Sequence, residues 1–431
     1  MSEASLAKGI DLWGVVALGL GTAVGVSIFS AIAPAARIAG PAMLLSALLA
    51  ALPMYLIAVS YAFLGSACPV SGASVVWPAR FLHPAWGFYI GWARIVANVG
   101  AIVVLALVLV RYASMLLPLP TKPTMLAVML LALVANLFGV HVAARVQKLL
   151  LAGMLLLFAV FVVWGGTSAV ELARLRPLFP NGIHGMIAAT PLLMGLFFGI
   201  EAATEAGAEV ADGRRTIPLG IALSIGSATL LYLAVSFVAL GVLGGDALGA
   251  SDAPILDAAK RFMGPTATPL IVLAAVLSIG KSLNALFAMF SRSLYAMGVS
   301  GMLPRALGRV HPRWQTPHVA LFAVFLLGCV GLLLPMELTF LFLAVNIPNL
   351  IKYGSICLAA ARVVDRYPGL YDAAAFKFGH RAMRQLGYAG TACATILTFV
   401  GLEADWRPYL LLLVWMLCGC CYSIAFRVRS R

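Results

Sequence analysis

Residues 195–218 read GLFFGIEAATEAGAEVADGRRTIP: two glycines, Gly195 and Gly199, interrupt an apolar segment just before Glu201, and two more carboxylates, Glu205 and Glu209, follow at intervals of four. In a continuous helix these three acids share one face. Lipid cannot be that face, because a charge at the bilayer centre costs several kcal/mol or more, so each acid must meet water, a counter-charge or a proton. Composition establishes the membrane itself. Of 431 residues, 63% are hydrophobic and only 10% charged, against roughly 25% charged in soluble chains. A hydrocarbon core of about 30 Å takes about 20 helical residues to cross, which leaves room for on the order of a dozen spans and little for a soluble domain.

Apolar runs bounded by Pro, Gly and charge clusters predict spans near 12–36, 40–67, 84–117, 123–140, 143–166 and 187–210, and again near 217–243, 268–298, 317–335, 337–364, 385–402 and 406–427. The expected fold is an all-α polytopic membrane protein with twelve transmembrane helices, a short segment 1–11 before them and 428–431 after them. The opening MSEASLAKGIDLW runs straight into an apolar segment without a short h-region or cleavage site, so an uncleaved first span is expected. With the N-terminus cytoplasmic, 18 of the 29 Lys and Arg fall on that side and eight on the other, with Arg94, Lys281 and Lys352 inside spans. That asymmetry places both termini inside. The net charge of +14 is therefore read as loop charge that sets orientation, and nucleic-acid binding is rejected. Seven cysteines fall mostly in apolar stretches, where a thiol packs as a small hydrophobe, so neither a disulfide nor a metal site nor a cofactor is expected.

The first span carries Gly19, Gly21 and Gly25, and the sixth carries Gly195 and Gly199. Glycine costs about 1 kcal/mol relative to alanine inside a soluble helix, although small residues also let membrane helices pack closely. A matched pair five helices apart, one ending at an intramembrane carboxylate, points to a binding site built on discontinuous helices.

Several motifs carry a family resemblance. They are Gly25-Val26-Ser27-Ile28-Phe29 in the first span, Pro69-Val70-Ser71-Gly72-Ala73-Ser74 in the second loop, and Phe198-Gly199-Ile200-Glu201 with Glu209 and Arg215-Thr216-Ile217-Pro218 around the sixth span. Ser291 to Met297, Gly301 to Pro304, and His311-Pro312-Arg313 with Thr316-Pro317 complete the set. The chain resembles the amino acid, polyamine and organocation transporter superfamily, particularly its bacterial amino-acid permeases and exchangers. That resemblance implies a five-plus-five inverted repeat, spans 1–5 over 12–166 and spans 6–10 over 187–364, with two extra helices over 385–427 and substrate held at broken helices 1 and 6. Two positions depart from the pattern. Ser27 stands where the family turn commonly has its second glycine, and Gly195 stands where exchangers of large cations place an aromatic gate.

Where span 1 unwinds, freed amides among residues 22–27 (Thr22, Ala23, Gly25, Val26 and Ser27) suit a carboxylate. Where span 6 unwinds, freed carbonyls from Phe197 through Phe198 and Gly199 to Ile200 suit an ammonium. An α-amino acid presents both groups. The Phe197 and Phe198 rings either line the site or pack in core or lipid. Asn98 either faces the site or makes an interhelical hydrogen bond, and Asn346 and Asn349 either gate the site or satisfy groups freed by Pro348. Glu201, beside the break, is a candidate proton carrier or gate. Glu205 either adds negative charge for a cationic substrate or pairs with Lys281 or Arg94, and Glu209 is expected to pair with a loop arginine such as Arg214. Arg94 is expected to snorkel. Lys281 lies 11 residues before Arg292, about 16 Å deeper in the membrane at 1.5 Å per residue. There it either replaces a sodium ion between spans 1 and 8, as the resemblance suggests, or pairs with an acid such as Glu205.

The function expected is a secondary active transporter of amino acids or related organic amines by alternating access, sodium-independent, and either proton-coupled or exchanging. It is expected to be no enzyme and to sit as a multi-pass protein in a cell membrane, a bacterial inner membrane, and its oligomeric state is not legible. A transporter-like sensor or channel is the alternative. A membrane-embedded enzyme for lipid-linked groups is disfavoured because the six histidines are scattered, and the absence of a P-loop leaves ATP-driven transport needing a partner chain.

Overall fold

A computed structural model describes residues 9–138, 140–199, 201–400 and 405–426. Its helices are α1 (Leu12–Ala23), α2 (Ser27–Ser30), α3 (Ile32–Ala39), α4 (Met43–Ala67), α5 (Ala73–Phe81), α6 (Pro84–Ala113), α7 (Thr121–Leu137), α8 (Val140–Ser168), α9 (Gly182–Met194) and α10 (Ala202–Glu205). They continue with α11 (Gly213–Leu243), α12 (Gly245–Gly249), α13 (Pro254–Met263), α14 (Ala267–Val299), α15 (His318–Gly331), α16 (Leu338–Arg366), α17 (Pro368–Ala373), α18 (His380–Val400) and α19 (Arg407–Ala425). Among the described residues the chain is all-helical apart from two isolated bridges, Ile10 with Val210 and Ser71 with Ala206. Nine helical stretches among the described residues are long and apolar enough to cross a membrane. The expected spans 123–140 and 317–335 are α7 and α15, apolar but shorter, and span 385–402 falls on α18, whose first turns carry Arg381 and Arg384.

Helix 1 is discontinuous, as α1, α2 and α3, with the interruption at residues 24–26. Gly40, at φ 58°, then turns the chain into α4, a left-handed conformation that glycine adopts without steric penalty. Helices α6 and α14 run through the middle, buried along most of their length. Around them, Leu149, Leu230 and Leu333 are exposed apolar side chains, which suits a surface whose solvent is hydrocarbon.

Lipid tails are as apolar as leucine, so helix contact rests on close packing over small residues. A Cβ on Gly87 of α6 would lie 2.4 Å from the Ala79 Cβ and 2.7 Å from the Val75 carbonyl of α5. A Cβ on Gly220 of α11 would lie 2.1 Å from a Val15 methyl of α1. Gly87→Val should therefore force α5 from α6 and lower the melting temperature of the detergent-solubilised protein, at a cost of about 1–3 kcal/mol. Unchanged melting would refute that contact.

Candidate functional site

The chain leaves α1 through Val24, whose amide bonds the Leu20 carbonyl at 2.9 Å, and Gly25, whose amide bonds the Ala23 carbonyl at 3.0 Å. Glycine is required at position 25, because a Cβ there would come within 2.6 Å of the Ser282 hydroxyl oxygen. Among the described residues the amides of Val26 and Ser27 have no main-chain acceptor. They stand at the start of the second half of helix 1, where the helix dipole is positive.

The second break follows α9. Phe198 is extended and Gly199 takes φ 97° before α10 begins at Ala202. Among the described residues no donor meets the carbonyls of Phe197 and Phe198. Two hydroxyls join the breaks. Thr22 donates to the Gly199 carbonyl, and Tyr232 lies 2.8 Å from the Ala23 carbonyl and 3.0 Å from the Leu196 carbonyl.

Each acid of the helix-6 segment finds a different cation, and the continuous three-acid face is not formed, because α10 ends at Glu205 and the non-helical Ala206 turns the backbone before Glu209. Glu201 pairs with Lys352 of α16 at 2.5 Å and accepts from the Tyr353 hydroxyl at 3.0 Å. Tyr353 in turn receives the Gly199 amide at 3.2 Å, so this carboxylate is braced against the break. Glu205 pairs with Arg94 at 2.8 Å, and Arg94 also donates to the Ser74 hydroxyl. Arg94 does not snorkel, since it is only 1% exposed. Glu209 pairs with Arg292 at 2.6 and 2.8 Å through both oxygens, and Arg214 is exposed at the start of α11. The turn Gly207–Glu209 aims Glu209 inward at α14, which is why the sequence-adjacent arginine is not its partner.

Lys281 does not pair with Glu205. Its ammonium donates to the Gly21 carbonyl at 3.0 Å and to the Val24 carbonyl. Ser278 donates to the same Val24 carbonyl at 3.0 Å, and Ser282 donates to Gly21. The carbonyls released at the end of α1 are thus met by one ammonium and two hydroxyls of α14. An amide chain lies beside them, with Gln147 donating to the Ala17 carbonyl at 3.0 Å, Asn284 to Gln147 at 3.1 Å and Asn136 to Asn284 at 2.9 Å.

A cavity of about 680 Å³ opens between the breaks. Thr22, Val26, Ser27, Asn98, Phe198, Gly199 and Glu201 line it, and so do Arg94, Asn346, Asn349 and Lys352. Ala23, Gly25, Glu205 and Lys281 are not among its lining residues. Phe197 is turned away from it as well, fully buried against Tyr232 at 6.0 Å between ring centroids. Ile200 lies outside the described residues. The cavity reaches Pro34 of α3, beyond the first break, and Leu192 of α9, before the second, so it extends toward the face opposite the N-terminus. On the N-terminal side the passage is shut. There the amides of Gly9 and Ile10 bond the Glu209 carbonyl at 3.0 and 3.1 Å, and Gly72 bonds the Glu205 carbonyl at 2.8 Å.

Sequence reasoning did not assign Lys352, Tyr353, Ser278, Ser282 or the amide chain. A signal for Lys352 was present: an intramembrane lysine needs an acidic partner, and Glu201 lies in the span that carries three acids.

Residues 14–430 match a family model described as amino acid permease. An uncharacterized transporter of Mycobacterium tuberculosis is 32% identical over 73% of this chain and 71% of its own. The branched-chain amino acid permease BcaP of Bacillus subtilis is 26% identical over 97% of this chain and 92% of its own, and the methylthioribose transporter of the same species is 26% identical over 84% and 83%.

Removing one member of a buried ion pair leaves the other uncompensated, at about 3–5 kcal/mol. Arg292→Ala should accordingly lower the melting temperature sharply, and the paired change Glu209→Gln with Arg292→Met should recover most of the loss. An Arg292→Ala protein as stable as the wild type would contradict the pairing.

Proposed function

Since the chain belongs to the amino acid permease family, we propose that it is a secondary active transporter of amino acids that works by alternating access, without sodium. The observation that carries this reading is the pair of facing breaks. Among the described residues, the unbonded amides of Val26 and Ser27 and the open carbonyl of Phe198 border one cavity, and together they offer the opposite partial charges that a substrate's carboxylate and ammonium require. The name of the Bacillus subtilis branched-chain amino acid permease supports the same substrate class.

The remaining assignments follow. Spans 1–5 (12–166) and 6–10 (187–364) form the two repeats, with spans 11 and 12 (385–427) appended. We place both termini in the cytoplasm, a reading that the excess of Lys and Arg on the N-terminal side supports. The described state is then closed inward by Glu209–Arg292 and open outward. Glu201, braced by Lys352 and Tyr353 against Gly199, links the charge of the site to the geometry of the break, whether the carrier couples to protons or exchanges substrates. Glu205 holds Arg94 beneath the cavity.

Lys281 stands on the carbonyls of Gly21 and Val24 with the hydroxyls of Ser278 and Ser282 beside it. Carbonyl and hydroxyl oxygens of this kind are ligands for a hard cation, and an ammonium on them supplies that charge from the protein itself.

In proteoliposomes, amino-acid uptake or counterflow should proceed equally in sodium and choline buffers, and Lys281→Ala should lose most activity. Strict sodium dependence of the wild type would defeat the assignment. Gly25→Leu and Gly199→Leu should abolish substrate binding, measured by thermal shift, while the proteins still insert in the membrane. Unchanged affinity in both would move the site elsewhere.

A further inference from the structure

Seven Glu, Lys and Arg side chains are buried among the described residues: the carboxylates Glu201, Glu205 and Glu209, and the cations Arg94, Lys281, Arg292 and Lys352. Every one of the three acids is already held by a cation of the protein, at 2.5, 2.8 and 2.6 Å respectively. None is left to receive a second ammonium from a substrate. Of the charged residues that line the cavity, two are cations, Arg94 and Lys352, and one is an acid, Glu201. Two donors of lining residues, Arg94 Nε and Asn98 Nδ2, are buried without an acceptor among the described residues. The rest of the wall is largely apolar, with Val104, Leu105, Leu286, Phe342 and Ile347 among its residues.

On this basis we infer that the transporter is selective for amino acids with an uncharged, mainly apolar side chain, and that Lys352 excludes lysine, arginine and polyamines by occupying Glu201. The inference rests on the amino-acid reading above and narrows it. A zwitterion is accommodated because the broken helices supply partial charges for its own two ends. A second ammonium in the same cavity would be desolvated beside Lys352 and Arg94 with no carboxylate to meet it, and charges without partners are expelled from such sites. An acidic side chain is disfavoured by the same pairing, because Arg94 and Lys352 are each neutralised by a carboxylate of the protein. Lys352 also lies 4.2 Å from the centre of the Tyr353 ring, which adds a cation–π contact to its hold on the acid. The position a substrate cation would seek is thus filled from within the chain.

The test uses the full-length protein in proteoliposomes, with labelled leucine, serine, glutamate, lysine and putrescine each assayed by counterflow against its own unlabelled pool. The wild type should exchange leucine, with lysine, putrescine and glutamate at least about tenfold slower at equal concentration. Lysine, putrescine or glutamate exchanged at the leucine rate would overturn the inference while leaving amino-acid transport standing, whereas no exchange of any amino acid would defeat both. In Lys352→Met, which frees Glu201, lysine should gain at least about tenfold relative to leucine; in Lys352→Arg, which keeps the charge, lysine should stay excluded. A Lys352→Met protein that retains a cooperative thermal transition and exchanges leucine but still rejects lysine would remove Lys352 from the selection, as would admission of lysine by Lys352→Arg. If Lys352→Met fails to fold, the wild-type series and Lys352→Arg decide the matter.

Discussion

In a membrane, a main-chain amide or carbonyl that leaves its helix has no water to turn to, so it must be met by a side chain, another piece of backbone or a passing solute. Two interruptions, at residues 24–26 and at Phe198 and Gly199, release such groups in the middle of this protein, and much of the surrounding polar architecture exists to meet them. Lys281, Ser278 and Ser282 take the carbonyls at the end of α1. Tyr232 and Thr22 join one break to the other, and Tyr353 takes the Gly199 amide. Among the described residues, the unmet groups of Val26, Ser27 and Phe198 belong to residues that line the cavity.

Charge follows the same logic on a larger scale. Each buried acid of the helix-6 segment is matched from a different helix: Glu201 from α16, Glu205 from α6 and Glu209 from α14. These pairs tie one interrupted segment to three long helices. Breaking any one exposes a charge to a low dielectric, so the pairs also specify which arrangement of helices is compatible with a shut passage. A change that opens that passage must separate or carry along Glu209 and Arg292, as well as the bonds from Gly9 and Ile10 to the Glu209 carbonyl.

Much of this was legible in residue order. Hydropathy alone marks the apolar stretches, and Gly25 and Gly199 mark the breaks, because glycine is required where backbone passes close to a neighbour or takes positive φ. The need for partners of Glu201, Glu205 and Glu209 was legible for the same reason that lipid rejects charge. Their identities were not. Arg214 is close in sequence to Glu209 yet exposed, while Arg292 lies 83 positions away and 4% exposed. Arg94 could be taken for a snorkelling residue until α6 was seen to be buried, and Phe197 for a wall of the site until the turn at Phe198 put it against Tyr232.

Residue order by itself determined that this chain spans a membrane as helices, where two of those helices fail, and which groups cannot remain unpaired, because these depend on local chemistry and on the solvent. Only the tertiary structure decided that Lys352 holds Glu201, that Lys281 stands on α1 carbonyls and not against an acid, and that two cations and one acid line the cavity. Those outcomes depend on the rotation and depth of helices separated by up to 260 residues, and helix rotation is set by the packing of small residues between neighbours, which no single helix encodes.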